Sequence, residues 1–156
     1  MYSKKKTIHR LNRSELAVPG SRNDFFEKAA KGNSDIIFLD LEDSVSFNKK
    51  TQARKNVIEA VNDIDWKNKS LSIRVNSFNT DIIKYDLEEI LKFTSQRLDL
   101  LMIPKVNTAK DISDLDNIVT KYEKKFKRKK KIGFEIIIET GLGLINIEEI
   151  SLASNR

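Results

Sequence analysis

The chain has 156 residues, of which 39% are hydrophobic and 33% charged, with a net charge of +6 and no cysteine. That length suits one globular domain with a sizeable core, and the lack of cysteine excludes a disulfide framework, a thiolate metal site and a cysteine nucleophile. No apolar run approaches the roughly 18 residues that cross a bilayer, and the basic, polar opening residues lack the apolar stretch of a secretory signal, so the expectation is a cytoplasmic protein without a membrane partner.

Residues 1–12 read as a basic segment, and residues 13–156 as one domain of alternating strands and helices. Residues 15–18 form a short strand, followed by the turn Pro19-Gly20-Ser21. Asn23 or Asp24 is placed to cap a helix through Lys31, with Phe25, Phe26, Ala29 and Ala30 inward, and Gly32-Asn33 stops it. Residues 35–41 hold the apolar run Ile36-Ile37-Phe38-Leu39, of strand length. Residues 50–62 are helical, with Ala53, Val57, Ile58, Ala60 and Val61 on a broad stripe. Residues 71–75 are the third strand. Residues 81–94 are the third helix, with Ile82, Ile83, Leu87, Ile90 and Leu91 inward. Residues 98–103 are the fourth strand, and residues 109–126 the fourth helix, with Ile112, Leu115, Ile118, Val119 and Tyr122 at helical spacing. Residues 132–138 are the fifth strand and residues 144–153 the fifth helix. Trp66, Phe38, Phe93 and Met102 read as packing.

Short apolar strands alternating with helices predict an α/β fold with a parallel sheet buried on both faces. Two architectures fit this pattern. One is an open doubly wound sheet; the other is a (β/α)8 barrel cut to its first five units, since a complete barrel takes about 250 residues.

In either architecture ligands bind beyond the carboxyl ends of the strands. Those ends carry Pro19-Gly20-Ser21-Arg22, Asp40-Leu41-Glu42-Asp43-Ser44, Arg74-Val75-Asn76, Pro104-Lys105 and Glu139-Thr140-Gly141. Carboxylates among oxygen ligands suit a hard cation such as Mg²⁺, with Mn²⁺ as a substitute. Zinc is disfavoured, because the single histidine, His9, lies near a terminus. Glu139 is the sharpest candidate, with Gly141 and Gly143 free to let backbone approach a ligand; the competing reading makes Glu139 a cap of the fifth helix. Arg74 sits at a strand end and needs a carboxylate partner, structural or substrate. Asp40 and Glu42 lie two apart and share a strand face; the competing reading pairs them with Lys50, Arg54 or Lys105. Much of the positive charge lies in Lys4–Lys6 and in residues 124–131. The second run reads as a solvated helix end and loop, and without a nucleic-acid motif no nucleic-acid partner is expected. There is no phosphate-binding or dinucleotide glycine pattern and no nucleophile elbow.

Five of these stretches, taken in order, resemble a known group. They are Asp40-Leu41-Glu42-Asp43-Ser44-Val45, Lys50-Thr51-Gln52-Ala53-Arg54, Arg74-Val75-Asn76, Ile103-Pro104-Lys105 and Ile138-Glu139-Thr140. The group is the HpcH/HpaI aldolases and citrate lyase β-subunit-like acyl-CoA lyases. Val18-Pro19-Gly20-Ser21-Arg22, Asn62-Asp63-Ile64-Asp65-Trp66 and Phe134-Glu135-Ile136-Ile137-Ile138-Glu139 are most similar to its malyl-CoA lyases. The resemblance implies a (β/α)8 barrel, Mg²⁺, a trimer or hexamer, and reversible cleavage of malyl-CoA or β-methylmalyl-CoA. The products would be glyoxylate and acetyl-CoA or propionyl-CoA; citryl-CoA cleavage and a non-catalytic CoA-binding role are the alternatives. It also implies roles by position. Glu139 would be a metal ligand, and Arg74 would hold glyoxylate, these two forming the catalytic pair. Arg22 and Lys28 would contact CoA, while Asp40, Glu42 and Lys105 would support the metal site from behind. The group's second metal-ligating Asp and its catalytic Asp have no match here, so the 156 residues by themselves are expected to be inactive.

Overall fold

The computed structural model describes residues 10–156; Lys4–Lys6, His9 and most of the basic opening segment lie outside the described residues. Five strands, β1 (Glu15–Pro19), β2 (Ile36–Asp40), β3 (Ser70–Arg74), β4 (Leu100–Ile103) and β5 (Gly133–Ile136), form one sheet. Between them run α1 (Phe26–Lys31), α2 (Lys50–Asp63), α3 (Ile82–Phe93) and α4 (Ala109–Lys125), and α5 (Gly141–Ile145) and α6 (Ile147–Leu152) follow β5. The strands are parallel and ordered β1-β2-β3-β4-β5. A doubly wound sheet would reverse direction at a switch point; a sheet that advances one strand at a time is the start of a (β/α)8 barrel. The sheet also curls, because Glu135 on β5 is met both by Glu15 of β1 and by the Ser72 hydroxyl of β3, at 3.2 Å.

The register divides the sheet into two unlike faces. Ile37, Leu39, Leu71, Ile73, Leu101 and Ile103 alternate onto the helix side and are all 0% exposed. Full burial of such side chains stabilises by about 1.5–3 kcal/mol each. They meet Val57 and Val61 of α2, Leu87 and Ile90 of α3, and Leu115 and Val119 of α4, the expected inward stripes. The opposite face carries Glu15, Phe38, Asp40, Ser70, Ser72, Arg74, Met102 and Glu135. Both faces are largely covered, but they differ in chemistry: the helix side is apolar, whereas the inner face is mixed and polar, with Asp40, Ser70, Ser72 and Met102 buried on it. The edges differ too, since β1 and β5 each have one neighbour. Leu16 is 41% exposed, and every residue of β5 is only half-buried.

Several local expectations change. Neither Asn23 nor Asp24 caps α1. The Asp24 carboxylate is taken by Arg22, and a single 3₁₀ turn leads into the helix instead. Ile118, in the middle of α4, and Phe93, the last residue of α3, are exposed rather than packed. The fifth helix is two short helices. It starts early because the Thr140 hydroxyl accepts the Gly143 N–H at 2.9 Å. It breaks at Asn146, whose amide Nδ2 donates to the Asn107 carbonyl at 2.9 Å. Gly143 faces the loop after β4 rather than an open site, for a Cβ there would lie 2.4 Å from the Val106 carbonyl oxygen. The basic run is not uniformly solvated. Arg128 folds back to donate to the Thr94 and Ser95 carbonyls at 2.8 and 3.0 Å, closing the end of α3, and Lys130 pairs with Asp99. Arg156, whose side chain is 1% exposed, ties the end of α6 to Asp116 and Glu123 of α4. Among the described residues no helix is long and apolar enough to cross a membrane.

Candidate functional site

Asp40 and Arg74 end adjacent strands and are register partners. Arg74 therefore reaches Asp40 with two parallel bonds, Nε to Oδ1 at 2.8 Å and Nη2 to Oδ2 at 2.7 Å. This bidentate fork is the strongest carboxylate contact an arginine makes. Asp40 also accepts the Glu42 N–H at 2.8 Å and the Ser44 N–H at 3.1 Å, which folds the loop after β2 around its carboxylate. Burial pushes the Asp40 carboxyl up, but the bonds from Arg74, Ser44 and the Glu42 amide win and hold it below its ordinary value.

Glu42 is 5% exposed. Its Oε1 accepts Lys105 Nζ at 2.5 Å, while its Oε2 has no hydrogen bond and lies 3.6 Å from Arg74 Nη1. Lys105 also reaches Asp43 at 3.1 Å, and these bonds to Glu42 and Asp43 raise its ammonium above the usual lysine range. Lys50 donates to the Leu41 and Glu42 carbonyls at 2.7 and 2.5 Å. Burial lowers the Lys50 ammonium despite the carboxylates around it. Thus Glu42 pairs with Lys105 as one reading expected, but Asp40 pairs with Arg74 rather than with Lys50 or Arg54. Arg54 is withdrawn behind the sheet, bonded to Asp86 at 2.8 Å.

Glu139 stands exposed at the mouth of β5 and accepts the Lys105 backbone N–H on Oε1 at 2.8 Å. It does not cap the following helix; Thr140 does. Lys105 has φ 56°, a left-handed conformation that costs a non-glycine residue about 1–2 kcal/mol. Asp40, Glu42, Arg74, Lys105 and Glu139 thus form one connected group across the mouths of β2 to β5.

Arg22 and Lys28 form a second group on the β1 side. The Arg22 guanidinium stacks 3.9 Å above the Phe25 ring, and Lys28 Nζ lies 5.4 Å from the same ring. Both cations remain exposed. The β1 mouth is tied to the β2 mouth through the Gly20 N–H, which donates to the Asp40 carbonyl at 2.8 Å. A Cβ at Gly20 would sit 2.8 Å from that oxygen, so the close approach demands glycine. Phe25, assigned to the core from sequence, is the platform for both cations. Its spacing of three residues from each would have revealed it, being one helical turn.

The donor set is all oxygen and fits a hard divalent ion sparingly. Among the described residues no three His, Cys, Asp or Glu side chains converge as a metal cage. Glu139 offers one accessible carboxylate with Oε1 already held, and Mg²⁺ takes one or two carboxylates and completes its shell with water and substrate oxygens.

The HpcH/HpaI aldolase/citrate lyase family model matches residues 13–156. The chain is 49% identical over 147 residues to the L-malyl-CoA/beta-methylmalyl-CoA lyase of Rhodobacter capsulatus, covering 94% of this chain and 46% of that protein. It is 35% identical over 150 residues to the citrate lyase subunit beta of Leuconostoc mesenteroides, covering 94% and 48%. Among solved structures, the citrate lyase beta subunit of Mycobacterium tuberculosis complexed with oxaloacetate and magnesium superposes with a TM-score of 0.69 at 25% identity, over 92% of this chain and 56% of that one. CitE of Mycobacterium tuberculosis with magnesium, acetoacetate and coenzyme A gives 0.69 at 26% identity, over 92% and 47%. The chain spans about half the length of the curated relatives it matches. On the family match and on these identities, the chain belongs to the HpcH/HpaI aldolase/citrate lyase family.

Proposed function

We propose that residues 13–156 are the first part of the barrel domain of a Mg²⁺-dependent carbon–carbon lyase. Its reaction is the reversible cleavage of malyl-CoA or β-methylmalyl-CoA to glyoxylate and acetyl-CoA or propionyl-CoA. The observation that carries this reading is the connected group of opposite charges on the strand mouths, which runs from the Asp40–Arg74 pair through Glu42 and Lys105 to Glu139. The 49% identity to a malyl-CoA/β-methylmalyl-CoA lyase supports this substrate class. The 35% identity to a citrate lyase β subunit supports citryl-CoA as the second reading.

Glu139 would hold the ion through the oxygen that Lys105 leaves free. Bound there, the ion would supply Lewis acidity at the oxygen of the carbon that becomes the glyoxylate carbonyl. Arg74 Nη1, the nitrogen not bonded to Asp40, would meet the glyoxylate carboxylate. Asp40 holds that guanidinium in place, and Glu42 holds Lys105. Arg22 and Lys28, standing on Phe25, would receive the phosphates of CoA as exposed cations. We place the whole protein in the cytoplasm and in a homo-oligomer, a trimer or hexamer.

The test is Glu139→Gln in the whole protein, with malyl-CoA and citryl-CoA assayed side by side over a range of Mg²⁺ and glyoxylate release followed. Expected are a loss of turnover of at least about a hundredfold and a raised Mg²⁺ requirement, in keeping with the loss of one preorganised charge contact. Unchanged turnover at low Mg²⁺ would remove Glu139 from the metal site. Faster cleavage of citryl-CoA by the native protein would select the second reading.

A further inference from the structure

Lys105 is one of three non-glycine residues with positive φ among the described residues, with Lys67 and Lys127. It alone lies at a strand mouth. The β4–β5 ladder ends where the Ile137 N–H donates to the Ile103 carbonyl at 3.0 Å. Pro104 comes next and has no N–H to give. The first backbone donor beyond the ladder is Lys105, and its N–H goes to Glu139 Oε1 at 2.8 Å rather than to backbone. The side chain of the same residue turns the other way, to Glu42 at 2.5 Å and Asp43 at 3.1 Å on the mouth of β2.

We propose that Lys105 is a positioning residue with two separable parts: its left-handed backbone aims the Glu139 carboxylate so that Oε2 faces a divalent cation, and its ammonium holds Glu42 and Asp43 in the β2 loop. The inference rests on the reading of Glu139 as a metal ligand. A lysine whose only role was the ion pair would need no left-handed backbone. A residue needed only for the turn would be glycine, which adopts positive φ freely. Lysine at a position with glycine's geometry is accounted for when both parts are used. Strained backbone concentrates where a site needs preorganisation, and here the strained residue supplies the bond that fixes Glu139.

Two substitutions separate the parts, since both remove the ammonium. Lys105→Gly keeps the left-handed turn and the N–H, whereas the β-branched side chain of Lys105→Val opposes positive φ. The measurement is Mn²⁺ binding to the whole protein without substrate, followed by the electron paramagnetic resonance of the free ion. Lys105→Gly is expected to bind Mn²⁺ no more weakly than the native protein, and Lys105→Val at least tenfold more weakly. Equal binding by the two variants, with Glu139→Gln abolishing binding, overturns this inference and leaves the metal reading standing. Full Mn²⁺ binding by Glu139→Gln overturns both. If Lys105→Val does not fold, amide hydrogen exchange decides the matter. Protection of the Lys105 N–H is expected in the native protein and is lost in Glu139→Ala, and equal protection in both overturns the inference.

Discussion

Replacing Arg74 by Met keeps most of the apolar stem and deletes the cation that Asp40 and Glu42 share. Asp40 is 1% exposed and cannot turn to solvent, so its carboxylate would be left with only the two backbone bonds from Glu42 and Ser44. Breaking a buried pair costs about 3–5 kcal/mol. The Arg74 side chain is 16% exposed at a partly wet mouth, where solvent offsets part of that cost, so about 2–3 kcal/mol, just below that range, is expected. With a urea slope of roughly 2 kcal/mol/M for a chain of this size, the unfolding midpoint should fall by about 1–1.5 M. The sign of the pH dependence follows from Asp40. Its carboxyl is depressed in the native fold, so the pair stabilises above the unfolded value and is lost as pH falls through the folded one. In the variant, burial acts without the guanidinium and pushes the carboxyl up. The deficit should therefore be widest near pH 7 and narrow toward pH 4, as Asp40 takes a proton. Adding Asp40→Asn removes the charge that needed the cation and should recover at least about 1 kcal/mol of the loss. Strictly additive losses in the double variant, or a deficit independent of pH, would refute the ion-pair reasoning.

Gly143→Ala places a methyl 2.4 Å from the Val106 carbonyl oxygen, a backbone atom that cannot swing aside. It should lower stability by about 1–3 kcal/mol, as overpacking does, and a melting temperature equal to that of the native chain would contradict the contact. Glu15 faces Glu135 across the inner wall; the residue as a whole is exposed, but partial desolvation of its carboxyl, then the charge of Glu135 and a shared hydrogen bond, raise it to about 7. Its folded value lies above its unfolded one, so its stabilising contribution is complete below the unfolded value and is lost as pH rises through about 7. Glu15→Gln should therefore raise the melting temperature at pH 8 and not at pH 5; the same shift at both would show that the two carboxyls do not interact.

The alternation of strand and helix was legible because each strand carries a compact apolar run and each helix a stripe. Arg74, Glu139 and Lys105 were legible as candidates because strand ends can be counted from those runs. The Arg74–Asp40 fork was not, since it depends on which residues of β2 and β3 stand opposite each other, and register is set by the whole sheet. The polar inner wall was hidden for a related reason. Ser70, Ser72 and Glu135 lie in strands whose apolar neighbours dominate any window, and only the curl of the sheet brings Glu135 to Ser72. The start of α5 was missed because Gly141 and Gly143 signal a loop, while the bond from Thr140 that overrides them is a matter of backbone geometry. Arg128 and Lys130 looked like members of a solvated run, and nothing local announces that carbonyls at the end of α3 await one and Asp99 the other.

Asp86 belongs to α3, on the far side of the wall from the mouth, yet it grips the loop that follows β3. Its Oδ2 accepts both the backbone N–H and the side-chain amide of Asn76, at 2.9 and 2.7 Å, and its Oδ1 accepts Arg54 Nε at 2.8 Å. Asn76 stands two residues after Arg74, so the excursion through Phe78 and Thr80 to α3 is stapled at both feet. Its length and content are thereby insulated from the placing of Arg74. Lengthening such a closed loop costs little, about 0.6 kcal/mol for each doubling. The stretch from Phe78 to Asp81, between the staple and the start of α3, is then the place where residues can be inserted or exchanged to reshape what approaches the mouth, by natural drift or by a protein engineer, without retuning the guanidinium beneath it.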